Sequence, residues 1–315
     1  MPSPSPSPPT SKRSARSQRP ASPDADKAPR CSTGLFDRAQ LRPVPSTLLI
    51  PLAARAWGGR YFPWMDCHDA VAIDLLDRLG ADVRSTLNDL PTVLNVLWRT
   101  RAIKEVGQAF FAQHPQALGV NLGAGLTHYF QWLDTGANQW LDADLPEVMA
   151  LRQPLLPPPC PRARHAQVDL LAPGWWQRLG LPGRSSGSPV SVPVLVVCEG
   201  VLMYLQPGQV QAVLAEFAQH APAGSRLVLD VLTRAAVGRA SFHASMRPTG
   251  AEFCWGVGRM VELEQMHPRL RLLREQSVSE CYGLPGLALD AMWRPWLGAP
   301  MYGLATLGVD WPGGR

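Results

Sequence analysis

The sequence predicts an α/β fold built on a mostly parallel sheet, and three observations carry that prediction. From residue 117 onward, short apolar runs alternate with stretches of helical spacing. One run, Val194–Cys198, is apolar throughout, as expected for a strand covered on both faces. Another, 117–122, leads straight into Gly123-Ala124-Gly125, a turn that frees positive φ angles and lets a ligand approach bare backbone. We expect seven strands, with antiparallel pairing at the C-terminal end and a helical cover before the first strand.

The elements follow in order. Residues 1–40 form a Pro/Ser/Arg-rich tail, and the first thirty have almost nothing apolar to bury, so disorder is expected there. Residues 41–114 make the helical extension and 115–315 the core. A helix over 68–79 presents Val71, Ile73, Leu75, Leu76 and Leu79, with Asp66 placed to cap it; a longer one covers 92–113. After the strand at 117–122 come a strand at 139–143, a short helix around Pro146–Arg152 and a proline-rich break at 154–161. A third strand at 164–168 precedes a Gly/Ser-rich surface loop at 182–193. Val194–Cys198 is the fourth strand, and a helix over 206–220 opens at Pro207. Arg226–Leu232 is the fifth. Two more, 270–278 and Tyr302–Val309, flank a helix-like 288–296.

Composition excludes several functions. Of the net charge of +5, four units lie in the first thirty residues, so the remainder is nearly neutral and lacks a nucleic-acid-binding stripe. No apolar run follows the early basic residues closely enough to form a signal peptide. The stretch 47–57, broken by Pro51 and Arg55, is too short to span a bilayer. We therefore expect a soluble cytoplasmic protein that binds neither nucleic acid nor membrane. The six cysteines are widely spaced, without a C-x-x-C pair, so neither a disulfide framework nor a metal site is expected.

The glycine turn points to a nucleoside ligand. In open α/β sheets such ligands sit at the carboxyl end of the first strand. The third glycine of a dinucleotide fingerprint would fall on His128, which argues against a pyrophosphate and for a cofactor without phosphates. Asp142, 17 residues past Gly125, stands near the roughly 20 expected of a ribose-binding carboxylate. Asp144 would support it or cap the next helix. Asp169 and Leu170 end the third strand, where an acid can accept from an exocyclic amine and a leucine can pack on a purine. Glu199, followed by Gly200, ends the fourth strand on the same rim.

Four segments together resemble the leucine carboxyl methyltransferase family of class I S-adenosylmethionine-dependent methyltransferases, including its bacterial branch associated with polyketide biosynthesis. They are Arg99-Thr100-Arg101-Ala102-Ile103, Val120-Asn121-Leu122-Gly123-Ala124-Gly125-Leu126, Leu141-Asp142-Ala143-Asp144-Leu145-Pro146-Glu147-Val148 and Glu199-Gly200-Val201-Leu202-Met203-Tyr204-Leu205. The resemblance implies a Rossmann-like class I methyltransferase fold and S-adenosyl-L-methionine as cofactor. It implies that Arg99 pairs with the cofactor's methionine carboxylate, a role that suits a guanidinium fork, with Arg101 as the fallback. Gly123 and Gly125 would border the methionine moiety, Asp142 the ribose, and Asp169 with Leu170 the adenine. Glu199 would lie near the amino group, and Tyr204 would border the substrate pocket. The chain departs from the family after the glycine turn, where Thr127-His128-Tyr129 replaces Asp-Thr-Arg.

The expected reaction is methyl transfer to a carboxylate or hydroxyl oxygen by in-line displacement, a step that depends on alignment and exclusion of water. A carboxylate acceptor needs no general base, and none is evident. The acceptor is expected to be a small molecule, with a protein C-terminal carboxylate as the alternative; oligomeric state is not readable. Two other readings stay open: a nicotinamide-dependent oxidoreductase with Asp142 on the ribose, and a catalytically silent relative that only binds.

Overall fold

A computed structural model describes Met1 and residues 46–184 and 192–309. The expected tail, and most of the expected loop at 182–193, lie outside the described residues. Residues 46–184 and 192–309 belong to one structural unit.

All seven strands form: β1 (Leu118–Leu122), β2 (Gln139–Asp144), β3 (Ala163–Gln167), β4 (Val194–Cys198), β5 (Arg226–Leu232), β6 (Leu270–Ser277) and β7 (Tyr302–Val309). Their order in the sheet is β3-β2-β1-β4-β5-β7-β6. The first five run parallel, and β7 pairs antiparallel with both β5 and β6. The chain winds outward from β1 to β3, then returns to place β4 on the other side of β1. That reversal opens a crevice at the carboxyl ends of β1 and β4, where open α/β sheets bind ligands.

Side chains alternate across the strands, so each face of the sheet has its own apolar layer. Leu118, Val120 and Leu122 of β1 face the layer that includes Trp176, Leu214 and Phe217. The other face packs against the N-terminal helices, in a core shared by Leu52, Leu97, Phe111 and Trp140. Helical cover and sheet therefore share one core. Gly119 belongs to this face because a Cβ there would stand 2.2 Å from the Trp140 ring.

Six helices of seven residues or more occur among the described residues: α1 (Ser46–Trp57), α2 (Ala70–Leu79), α3 (Leu90–Gln113), α4 (Pro146–Arg152), α5 (Pro207–His220) and α6 (Gly283–Leu297). The stretch 47–57, notable in the sequence only as a failed membrane span, is thus a helix. No described helix is long and apolar enough to cross a membrane. The cap of α2 is Asp69, whose carboxylate accepts from the Ala72 amide at 2.9 Å, and not Asp66. His68, at φ 50°, breaks the helix before Asp66 can reach it. Asp89 caps α3 in the same way, with Pro91 in the first turn. The last helix begins at Gly283, five residues earlier than the periodicity predicts.

Candidate functional site

A cavity of about 1040 Å³ lies over the carboxyl ends of β1 and β4. Gly123, Gly125, Glu199 and Gly200 line it from the sheet, Leu48 and Pro51 from α1, and Arg99 from α3. Farther out its wall is largely apolar, with Met246, Phe253, Leu289 and Trp293. Tyr204 also lines it, tilted against Phe253 with ring centroids 5.9 Å apart. Burial pushes the Tyr204 hydroxyl up to about 12.

The glycine turn is held from below. Gly123 and Gly125 adopt φ of 67° and 48°, the left-handed region that favours glycine. The amides of Gly123 and Ala124 both donate to the Ala143 carbonyl, and that of Gly125 donates to Asp144 Oδ2 at 2.8 Å. Arg152, fully buried at the end of α4, donates from Nη1 to the carbonyls of Gly125 at 2.8 Å and Thr127 at 2.6 Å. Arg55 of α1 grips the same turn, donating to the Leu126 carbonyl at 3.1 Å while paired with buried Asp69.

Asp142, expected on the ribose, does not reach the cavity. It is 1% exposed, and three side chains donate to it: Arg152 at 2.5 Å, the Trp140 indole at 3.0 Å and Asn121 at 3.3 Å. The strand runs one residue farther than 139–143, to Asp144, so Asp142 lies within it and faces the helical layer beside Trp140. The acid at the carboxyl edge is Asp144. It is half-buried, with Oδ1 accepting from the Leu145 amide at 2.7 Å, and burial raises its carboxyl above the ordinary range against the pull of those amides.

Arg99 and Glu199 do come together, in a denser cluster than expected. Arg99 Nε lies 2.6 Å from Glu199 Oε1. Its Nη1 donates to Asp230 Oδ2 at 3.1 Å and to the Tyr302 hydroxyl at 2.8 Å. The Tyr302 hydroxyl donates to Asp230 Oδ2 at 2.7 Å, and the Gly200 amide to Asp230 Oδ1 at 2.8 Å. The Tyr129 hydroxyl donates to Glu199 Oε2. Burial works against the Arg99 charge, but Glu199, Tyr302 and Asp230 outweigh it and hold the guanidinium protonated. Burial also raises the Tyr129 and Tyr302 hydroxyls well above their ordinary range.

The remaining expected residues divide. Arg101 is exposed and pairs with Glu105 on α3, away from the cavity lining. Asp169 and Leu170 follow β3, outside the cavity lining; Asp169 is exposed and accepts from the Leu171 amide at 2.9 Å. Of the unusual triplet, Thr127 lines the cavity and Tyr129 holds Glu199. His128 contributes no cavity-lining atoms; burial lowers its pKa, and Asp142 and Arg152 act on it in opposite directions. Sequence reasoning missed Arg152, Tyr129, Asp230 and Tyr302. Asp230 left a signal, as a lone carboxylate inside the apolar run Arg226–Leu232, where a buried charge must find partners.

Residues 54–218 match the family model described as leucine carboxyl methyltransferase. The tetracenomycin polyketide synthesis O-methyltransferase TcmP of Streptomyces glaucescens is 30% identical over 272 residues, 85% of this chain and 94% of that protein. Among solved structures, a DUF574 family protein from Streptomyces avermitilis aligns over 82% of this chain and 97% of its own, at 16% identity and a TM-score of 0.49. An S-adenosylmethionine-dependent methyltransferase from Mesorhizobium loti covers 65% of this chain and 96% of its own, at 14% identity and a TM-score of 0.44.

Proposed function

The chain belongs to the leucine carboxyl methyltransferase family and is an S-adenosylmethionine-dependent O-methyltransferase; from that premise we propose that the cofactor lies across the glycine turn and that a small-molecule acceptor occupies the outer cavity. The observation that carries this reading is the convergence on one cavity of the two glycines of the turn and the Arg99–Glu199 pair, backed by Asp230. A zwitterionic amino-acid moiety needs both a guanidinium and a carboxylate, and both stand there.

The residues present fit the cofactor. Asn121 lines the cavity with a buried Oδ1 that has no partner, an acceptor suited to an ammonium or hydroxyl. Gly200 leaves open the space beside the Arg99 guanidinium, whose Nη2 is 3.6 Å from where a Cβ would stand. In our reading Arg99 takes the methionine carboxylate and Glu199 the amino group, while Gly123 and Gly125 border the chain between them. Asp144, the acid at the carboxyl end of β2, replaces Asp142 as the ribose acid, and Asp169 with Leu170, past the end of β3, takes the adenine; all three lie beyond the lining of the cavity.

When bound, the cofactor supplies a methyl group activated on sulfonium sulfur. The protein's part is alignment of the acceptor oxygen and exclusion of water. The apolar outer wall, with Phe253, Leu289 and Trp293, suits a largely apolar acceptor that presents a carboxylate or hydroxyl oxygen beside Tyr204. A small-molecule acceptor also accords with the polyketide pathway named for TcmP. We place the enzyme in the cytoplasm.

Calorimetry on the full chain should give one cofactor site per protomer. A panel of apolar carboxylic acids, phenols and peptides with free C-termini, incubated with methyl-labelled cofactor, should show label in a small molecule. Absence of cofactor binding to folded protein would overturn the reading. Label only in peptides would reassign the acceptor.

A further inference from the structure

The cluster behind the cavity carries an unbalanced charge. Arg99 brings one positive charge; Glu199 and Asp230 bring two negative ones, all three largely or fully withdrawn from water. Asp230 is completely buried. The groups that face it are Arg99 from α3, the Gly200 amide and Glu199 after β4, and the Tyr302 hydroxyl from β7. Nearby Tyr204 and Cys198 sense it too, and both stay neutral because burial raises them.

Donor and product differ by one charge at sulfur. S-adenosylmethionine carries a carboxylate, an ammonium and a sulfonium, so it adds one net positive charge. S-adenosylhomocysteine keeps the first two, but its sulfur is neutral. With the donor bound, Arg99, Glu199, Asp230 and the cofactor together balance at zero. With the product bound, one buried negative charge is left over, an expensive state in a low-dielectric site.

Resting on the cofactor reading above, we propose that Asp230 is the residue by which the site tells the sulfonium donor from the thioether product. Its carboxylate is neutralised only by a cationic cofactor, and it takes up a proton when the product is bound instead. Burial already pushes its carboxyl above the usual carboxylate range, against the opposing pull of Arg99, the Gly200 amide and Tyr302. Asp230 acts on the cofactor only through Arg99 and Gly200, so it is a positioning residue with a charge-reading role. Tyr302 tunes it by donating to the same oxygen that Arg99 contacts.

The test is calorimetry on the full chain with S-adenosylmethionine and S-adenosylhomocysteine, in two buffers of different ionisation enthalpy. Product binding should be accompanied by proton uptake and donor binding should not. Between about pH 5.5 and 7.5 product affinity should fall about tenfold, while donor affinity holds. In Asp230→Asn proton uptake should vanish, and donor affinity should drop about tenfold relative to product. If that variant does not fold, Tyr302→Phe serves instead. Removing the hydroxyl donor should raise the proton affinity of Asp230 and move the fall in product affinity to higher pH. Equal weakening of both ligands in Asp230→Asn, no movement in Tyr302→Phe, or no proton uptake in the wild type would overturn the proposal. If the folded wild type bound neither ligand, the cofactor reading itself would fall, and this proposal with it.

Discussion

Arg152 and Asp142 form a buried ion pair, 2.5 Å apart, with the Arg152 guanidinium also holding the carbonyls of Gly125 and Thr127. One guanidinium thus ties β2, α4 and the glycine turn together. The turn presents its open side to the cavity only while its carbonyls are satisfied from behind. Asp142 neutralises the buried cation, and its function is exerted through the turn.

Replacing Arg152 with methionine strands the Asp142 charge in the core and leaves the turn carbonyls without donors. Breaking a buried pair from one side costs about 3–5 kcal/mol. Urea denaturation of Arg152→Met should show a loss of that order. Arg152→Lys should lose less stability but still weaken cofactor binding, because an ammonium cannot span the carbonyls and the carboxylate at once.

Two histidines that sense this pair give the fold a pH dependence. His128 and His165 both have lowered pKa values, chiefly from burial, with Arg152 adding to the effect and Asp142 opposing it. The unfolded chain gains protons below about pH 6.5, where the native histidines still resist them. Their contribution is therefore complete above that pH and is lost as pH falls through it toward the lower native values. Thermal melts from about pH 7.5 to 5 should show a steeper loss in wild type than in a His128→Gln, His165→Gln double variant. Parallel slopes would remove both histidines from the account.

Much of the fold was legible because each strand is a local pattern: Val194–Cys198 is apolar at every position and β4 lies covered on both faces. The site was legible where function sits on a strand end, as with Glu199 and the two glycines. Elsewhere local spacing gave too little. A strand that runs one residue past 143 makes Asp144 the edge acid in place of Asp142, and a period of two keeps both on one face. Tyr302 is 203 residues from Arg99 in sequence, and nothing near either residue announces their contact. Tyr129 was visible only as a departure from the family triplet, without its bond to Glu199.

The move to Asp144 yields its own prediction. Asp144→Ala should weaken S-adenosylmethionine binding about tenfold or more, by removing a charged acceptor from the ribose and freeing the Gly125 amide. The fold should survive, because Asp144 is half-buried and lies at a strand end. Asp142→Ala should act in the opposite proportion: a large loss of stability from unpaired Arg152, with binding reduced only as far as the turn loosens. Calorimetry beside urea titration separates the two, and a larger binding loss for Asp142→Ala at equal stability would return the ribose role to Asp142.

Gly123 allows the sharpest separation of conformation from space. An alanine there meets two penalties at once: φ of 67°, and a Cβ 2.2 Å from Val201 Cγ2. Gly136, in the turn before β2, has an even larger φ of 82° but nothing within 4 Å of its would-be Cβ. Gly136→Ala therefore measures the backbone penalty alone, about 1 kcal/mol. Gly123→Ala should cost about 1–3 kcal/mol more, because Val201 must shift. Val201 follows Gly200, whose amide holds Asp230, so that shift passes into the charge cluster. Cofactor affinity should thus fall well beyond the stability loss in Gly123→Ala and stay unchanged in Gly136→Ala. Equal binding by the two variants would mean that the turn serves the fold and not the ligand.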